Sequence, residues 1–279
     1  MWSRSSHGRR IAAITVIGTA IVLPLVVFVL GPNMPPGKAT DVAKTQVDSN
    51  TVLLVVMTPF TVFILAYLGY AICAFRAPKG ETVLSDGASI RGHMPSQVAW
   101  LVTTTVAVLF LAIFGTTELL ANNGAGSGSG PNPVAKPSGL VLPVQVIGQQ
   151  WEFTYRYPTY GGVETAQLVL PVGEQVAFHV TSLDVVHSFW AYELGVKADA
   201  NPGVDNVAYA KPNTIGTFQI RCAELCGLWH GYMFDTGRVV SPAAFKAWIH
   251  TQRALFSGVM QYLPKFSTSY APDPQFRAG

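Results

Sequence analysis

Cys222, Cys226, His230 and Met233 bring two thiols, an imidazole and a thioether into one short stretch of chain. Thiolate and thioether are soft ligands and imidazole is borderline, a combination that selects copper over magnesium, calcium or manganese. His187, in the strand-like run Asp184-Val185-Val186-His187-Ser188-Phe189-Trp190, can close such a site from a neighbouring loop. A single blue-copper site needs one Cys, two His and a weak axial Met, so this set has one Cys too many. Two cysteines four apart in a loop could instead bridge two copper ions through both sulfurs. Each ion would then take one His, from His187 or His230. Met233 would be a weak axial ligand on one copper, and the backbone carbonyl of Glu224 could serve the other. A centre that shares one electron over two metals changes its bond lengths little on reduction, which suits electron transfer better than bond-making. The alternative is a Cys222–Cys226 disulfide, the commoner fate of a Cys pair in an oxidising compartment. The accompanying His187, His230 and Met233 favour metal.

Loops that hold ligands for electron transfer need rigid elements on either side. Short β-prone runs occur at 141–147, 151–157, 167–170, 175–181 and 217–221, with turn signals such as Pro171-Val172-Gly173 and Lys211-Pro212-Asn213 between them. Many short strands at close spacing predict a sandwich or barrel. Ser241-Pro242 reads as an N-cap followed by Pro in the first turn. Phe245, Trp248 and Ile249 then share one face, which predicts a helix over 241–255 packed on the β-domain. His179 and His250 read as structural or exposed. The expected β-domain is 139–258, with a tail at 259–279 that contains Pro264, Pro272 and Pro274.

Upstream the chain changes character. Hydrophobic residues make up 49% of the sequence and charged residues only 12%, and the net charge of +3 carries no basic cluster on a folded face. That balance excludes nucleic acid as a partner and points to a membrane. Three uncharged runs, 11–30, 51–75 and 98–117, could each cross a bilayer, which takes about twenty apolar residues. Pro24 and Pro59 interrupt the first two, which membrane helices tolerate. Arg4, Arg9 and Arg10 precede the first run, and Arg76, Lys79 and Arg91 separate the second from the third. The positive-inside rule makes both segments cytoplasmic, so the loop 31–50 and everything after the third span lie outside. The expected organisation is a membrane span or signal anchor at 1–31 and a transmembrane helical hairpin at 32–120. A Gly/Ser/Pro linker follows at 121–138. Cys73, in an apolar stretch, reads as a lipid- or core-facing residue.

Cys222-Ala223-Glu224-Leu225-Cys226-Gly227-Leu228-Trp229-His230-Gly231-Tyr232-Met233 resembles the metal loop of subunit II of the haem-copper oxidases, the cytochrome c oxidase subunit that carries the binuclear CuA centre. The resemblance extends through Asp184–Trp190, Glu193-Leu194-Gly195-Val196-Lys197-Ala198-Asp199 and Gly148-Gln149-Gln150-Trp151, and covers most of the chain from Thr51 to about Leu255. It implies N-terminal transmembrane α-helices followed by an all-β cupredoxin-like Greek-key barrel. It implies two copper ions at His187, Cys222, Glu224, Cys226, His230 and Met233, and electron arrival at Trp151, where cytochrome c docks. It also implies a magnesium ion bound by the Glu224 side chain at the contact with subunit I, a hard carboxylate being suited to magnesium. The implied partners are subunit I, other oxidase subunits and a c-type cytochrome donor. The implied place is the bacterial inner membrane, multi-pass, with the copper domain on the periplasmic face. Four positions depart from the usual pattern: Glu152 after the Trp, Tyr192 before Glu193, Val204 after Pro202-Gly203, and Gln97 three residues before Trp100. The family usually has a Glu at the last of these, at the mouth of a proton channel, and a neutral amide cannot titrate.

The leading function is therefore electron acceptance for a respiratory terminal oxidase. This chain would carry the electron-transfer site and not the oxygen-reducing one, since its spans lack haem ligands. No Cys-x-x-Cys-His occurs, so the donor is a separate protein. Asp184, Glu193 and Asp199 are candidates for an acidic docking face. Two other readings keep the copper: a complex that reduces nitric oxide, and a membrane-tethered copper carrier. A quinol oxidase subunit is disfavoured, because that branch lacks the copper ligands.

Overall fold

The computed structural model describes residues 6–76, 92–121 and 140–260. The expected linker lies outside the described residues except for Ala121, as does the tail beyond Met260. So do Arg4, Lys79 and Arg91, three of the basic residues used to orient the spans. The chain forms two compact units, one of residues 1–34 and 48–118, the other of residues 35–47 and 119–279.

The first unit is helical. Helix α1 runs Ser6–Leu25 and continues as a π-helical turn over Val26–Leu30. Pro24 lies inside α1, and a proline ring removes a backbone donor and crowds the preceding turn. A wider turn directly after it is a common accommodation. Helix α2 runs Asp41–Ala74 with Pro59 inside it, and α3 runs Met94–Ala121. All three are long and apolar enough to cross a membrane. Small residues let α1 and α2 approach closely: Gly18 faces Val62, and Gly31 faces Thr51. At the other end the Tyr70 hydroxyl is 2.7 Å from His7 Nδ1.

Helix α2 begins earlier than its apolar run predicts. Residues 41–50, expected as loop, are helical. The Thr40 hydroxyl accepts the N–H of Ala43 at 2.9 Å, an N-cap that starts the helix. The same hydroxyl donates to the carbonyl of Leu194, and Gln46 Nε2 donates to that of Gly195. Residues 35–47 thus belong to the second unit, where tertiary contacts replace the missing apolar signal.

The second unit is a sandwich of two five-stranded sheets. The strands are β1 (Val141–Gln149), β2 (Glu152–Tyr157), β3 (Val163–Thr165), β4 (Val169–Pro171) and β5 (Gln175–Ser182), followed by β6 (His187–Ala191), β7 (Val196–Ala200), β8 (Asn206–Ala210), β9 (Gly216–Cys222) and β10 (Phe234–Val240). One sheet has the order β3-β2-β1-β5-β8 and the other β4-β10-β9-β6-β7. Val144 and Val146 of β1, Phe178 of β5, Phe189 of β6 and Phe218 and Ile220 of β9 fill the space between the sheets. The Phe189 ring lies edge-on to Phe153 and Tyr155 of the opposite sheet. The Tyr157 hydroxyl donates to the carbonyl of Val169 and accepts its N–H, both at 2.9 Å, tying β2 to β4. Helix α4 (Pro242–Met260) closes one end, with Phe245 and Ile249 buried and Trp248 half-buried against the core.

Candidate metal centre

Four strand ends meet at one edge of the sandwich. His187 opens β6, Cys222 ends β9, Met233 immediately precedes β10, and Gln150-Trp151 forms the β1–β2 turn. The β6–β9 ladder pairs Phe189 with Cys222. It continues past the strand end, with the N–H of Ala223 donating to the carbonyl of Ser188, while the β9–β10 pairing extends to the Cys222 N–H donating to the carbonyl of Met233. The loop 223–233 is therefore pinned at both ends and must fold back on itself. A single 3-10 turn over His230–Tyr232 completes the return.

This folding brings together side chains that the sequence places 46 positions apart at most. Cys222 Sγ is 3.7 Å from Cys226 Sγ. His187 Nδ1 is 3.9 Å from Cys222 Sγ, while His230 Nδ1 is 3.5 Å from Cys226 Sγ. The Met233 sulfur is 3.8 Å from Cys226 Sγ, and the Glu224 carbonyl is 3.2 Å from Cys222 Sγ. Each sulfur thus has its own imidazole and its own weak donor. His187 is fully buried, Cys222, Cys226 and Met233 are buried, and His230 is half-buried. Both cysteines are free thiols, and their separation is well beyond a disulfide bond of about 2.05 Å. Burial, and next the adjacent Cys222 thiol, push the Cys226 thiol up to about 12. Two thiolates this close need a cation, and a soft metal ion would displace both protons. The donor set therefore fits copper.

Trp151 is half-buried, and its Nε1 donates to the Cys226 carbonyl at 3.2 Å. Glu224 is exposed, while its carbonyl approaches the Cys222 sulfur. Several residues shape the site in roles that type and spacing did not assign to them. Asp184 Oδ1 accepts from His187 Nε2 at 2.8 Å, which leaves Nδ1 to face Cys222. Burial works to raise the Asp184 pKa. Hydrogen bonds from His187 and from the N–H groups of Gln150 and Val185 outweigh it and hold the carboxyl below its ordinary value. Asp184 thus orients His187 and remains exposed, and its position three residues before His187 was the available signal. Gln150 Nε2 also donates to the Cys226 carbonyl, at 2.8 Å. Two glycines make room. A Cβ on Gly148 would meet the His187 ring at 3.0 Å, and one on Gly227 would meet Gln150 Nε2 at 3.0 Å. Gly227 also has φ +115°, a region that side chains disfavour. Glu193, the second expected docking acid, accepts the N–H of Gln219 at 3.0 Å and lies against Gly37. His179 pairs with Asp205 at 2.9 Å and His250 is exposed. Among the described residues, His187, Cys222 and Cys226 form the one His/Cys/Asp/Glu group close enough to hold a metal.

Residues 163–239, which include the whole loop, match the family model described as cytochrome c oxidase subunit II, periplasmic domain. Cytochrome c oxidase subunit 2 of Thermostichus vulcanus is 25% identical over 88% of this chain and 86% of its own length. The protein of the same name from Synechocystis sp. is 26% identical over 91% of this chain and 87% of its own. The solved periplasmic domain of subunit II of cytochrome oxidase from Bradyrhizobium japonicum is 32% identical, with TM-score 0.41, over 44% of this chain and 98% of that one. With a family match over the metal loop and relatives aligned across nearly the full length, the chain belongs to the subunit II family of cytochrome c oxidase, an oxidoreductase complex.

Proposed function

We propose that this chain accepts electrons for a respiratory terminal oxidase. It would take them from a c-type cytochrome at a binuclear copper centre and pass them to the haem of subunit I, where oxygen is reduced. The observation that carries this reading is the duplicated donor set. Each of two sulfurs 3.7 Å apart has its own imidazole nitrogen, at 3.9 and 3.5 Å. A copper carrier with one labile ion needs no such duplication and no indole bonded to the ligand loop.

Cys222, Cys226, His187, His230, Met233 and the Glu224 carbonyl would hold the two ions. Two copper ions held in this way would supply one-electron carriage spread over both metals. The chain's own residues do the rest. Asp184 fixes the tautomer and plane of His187. Gln150 and Trp151 hold the Cys226 carbonyl and so fix the loop. Cys222 and Cys226 are themselves buried, with the Met233 sulfur against Cys226 and Phe189 paired with Cys222. Trp151 gives an aromatic contact between the surface and the ligand loop, and we assign it as the point where electrons arrive. The exposed Glu224 carboxylate would bind magnesium at the contact with subunit I. The working division is a membrane part to residue 120, a linker at 121–138 and a copper domain at 139–258. This copper domain would lie on the periplasmic face of the bacterial inner membrane.

The test is copper content and the electron paramagnetic resonance spectrum of the purified chain in detergent. Two coppers per chain, with the unpaired electron coupled equally to both nuclei, is the expected result. One copper, or a Cys222–Cys226 disulfide with none, would overturn the reading.

A further inference from the structure

We propose that Asp235 is a built-in negative charge that lowers the reduction potential of the metal centre, an inference that rests on the copper reading above. Strand β10 leaves the ligand loop at Phe234. Phe234 pairs with Arg221 and Asp235 with Ile220. Side chains alternate along a strand, and directly paired residues share a face. Ile220 is fully buried in the core, so Asp235 turns inward, between the two sheets. An acid is costly there unless something compensates it. Asp235 Oδ1 accepts the N–H of Thr236 at 2.6 Å. Oδ2 is buried, and the Tyr155 hydroxyl is the side-chain group that interacts with the carboxylate. Asp235 forms no ion pair among the described residues. The buried Tyr155 hydroxyl lies close enough to feel the carboxylate: burial, and then the Asp235 charge, raise its pKa well above the ordinary value.

Cys222 is the next inward residue on β9 after Ile220, which makes it the diagonal neighbour of Asp235, a spacing of about 7–8 Å between backbones. Met233 is two residues before Asp235, and its carbonyl accepts the N–H of Cys222. Asp235 is half-buried, and its carboxylate sits one side-chain spacing from two proposed ligands with one oxygen out of solvent, where charge acts more strongly than in water. The step it acts on is the transfer of one electron from the cytochrome haem, which is oxidised, to the oxidised copper pair, which is reduced. No bond or proton moves. Reduction removes one positive charge from the pair, so a fixed negative charge beside it favours the oxidised form. Asp184 acts differently, through its hydrogen bond to His187. A purely structural role for Asp235 is a poor account. Asparagine would keep the bond from Thr236 without the buried charge.

The experiment is a redox titration of the full chain in detergent, loaded with two coppers and showing equal coupling to both nuclei. Asp235→Asn should raise the midpoint potential, so that at a fixed ambient potential the reduced-to-oxidised ratio rises several-fold with the copper spectrum unchanged. Asp235→Glu, which keeps the charge, should stay near the wild type. Equal potentials for the wild type and Asp235→Asn would overturn the proposal, as would an equal rise in Asp235→Glu. Tyr155→Phe provides an independent reading in a variant that keeps the carboxylate. Removing the dipole that offsets the charge should lower the potential, and an unchanged value counts against the proposal. A wild-type chain that does not take up two coppers would instead overturn the copper reading itself.

Discussion

The Glu224 carbonyl and the Glu224 carboxylate are proposed to serve two different ions, and substitution separates them. Glu224→Ala removes only the side chain. Copper content should stay at the wild-type value, while magnesium retention in the assembled oxidase falls by at least about tenfold. Loss of copper in this variant would mean that the side chain, not the carbonyl 3.2 Å from Cys222 Sγ, organises the loop. Asp184 offers a second residue-level test. Its bond to His187 Nε2 leaves Nδ1 to face the sulfur. Asp184→Ala should weaken copper binding by about 10–100-fold while the chain stays folded. Competition with a copper chelator measures this, and an unaltered affinity would remove Asp184 from the site.

At the scale of elements, the ligand loop turns on Gly227. Its φ of +115° and its contact with Gln150 leave no room for a side chain. Gly227→Val should cost about 1–2 kcal/mol and displace Cys226, so the copper spectrum should change before the sandwich unfolds. A variant with wild-type copper and stability would show that the loop relaxes freely. The anchor of residues 35–47 depends on Glu193, whose backbone carbonyl accepts the N–H of Ala39 at 2.8 Å. Burial raises the Glu193 pKa, against the opposing pull of the Gln219 N–H and Arg221. The folded chain therefore holds that proton more tightly than the unfolded chain. The resulting stabilisation is full below the unfolded value of about 4.3. It is lost as pH rises through the raised folded value. Glu193→Gln has no such loss. Thermal melts of both proteins over a pH series should show the wild type losing ground to the variant across that window. Parallel curves would exclude the effect.

For the whole molecule, the three long helices are almost entirely unburied by the rest of the chain. Such apolar surface requires a lipid environment. Alkaline carbonate washing should leave the chain in the membrane pellet, and only detergent should release it. Release by carbonate would be incompatible with spanning helices. The two units face different constraints. The helical unit is specified by the length of its apolar runs. The sandwich is specified by pairings between distant strands, as in the parallel β1–β5 ladder.

The amino-acid sequence by itself determined the chemistry of the site, because ligand softness belongs to side-chain types and Cys222, Cys226, His230 and Met233 share one loop. It determined the three helices for a similar reason: the length of an apolar run is a local property. Strands β1, β2, β5 and β9 were legible from their own residues, with ends shifted by a residue or two. Strands β7, β8 and β10 were not. Asp235-Thr236-Gly237-Arg238 carries no strand signal of its own, and it is extended because β9 pairs along it and β4 joins at Arg238. Only the tertiary structure decided which imidazole approaches which sulfur, and that Asp184 orients His187. It likewise decided that Asp235 points into the core and that α2 begins at Asp41. Each of these depends on register or on contacts between residues far apart in the chain, and local spacing carries no information about them.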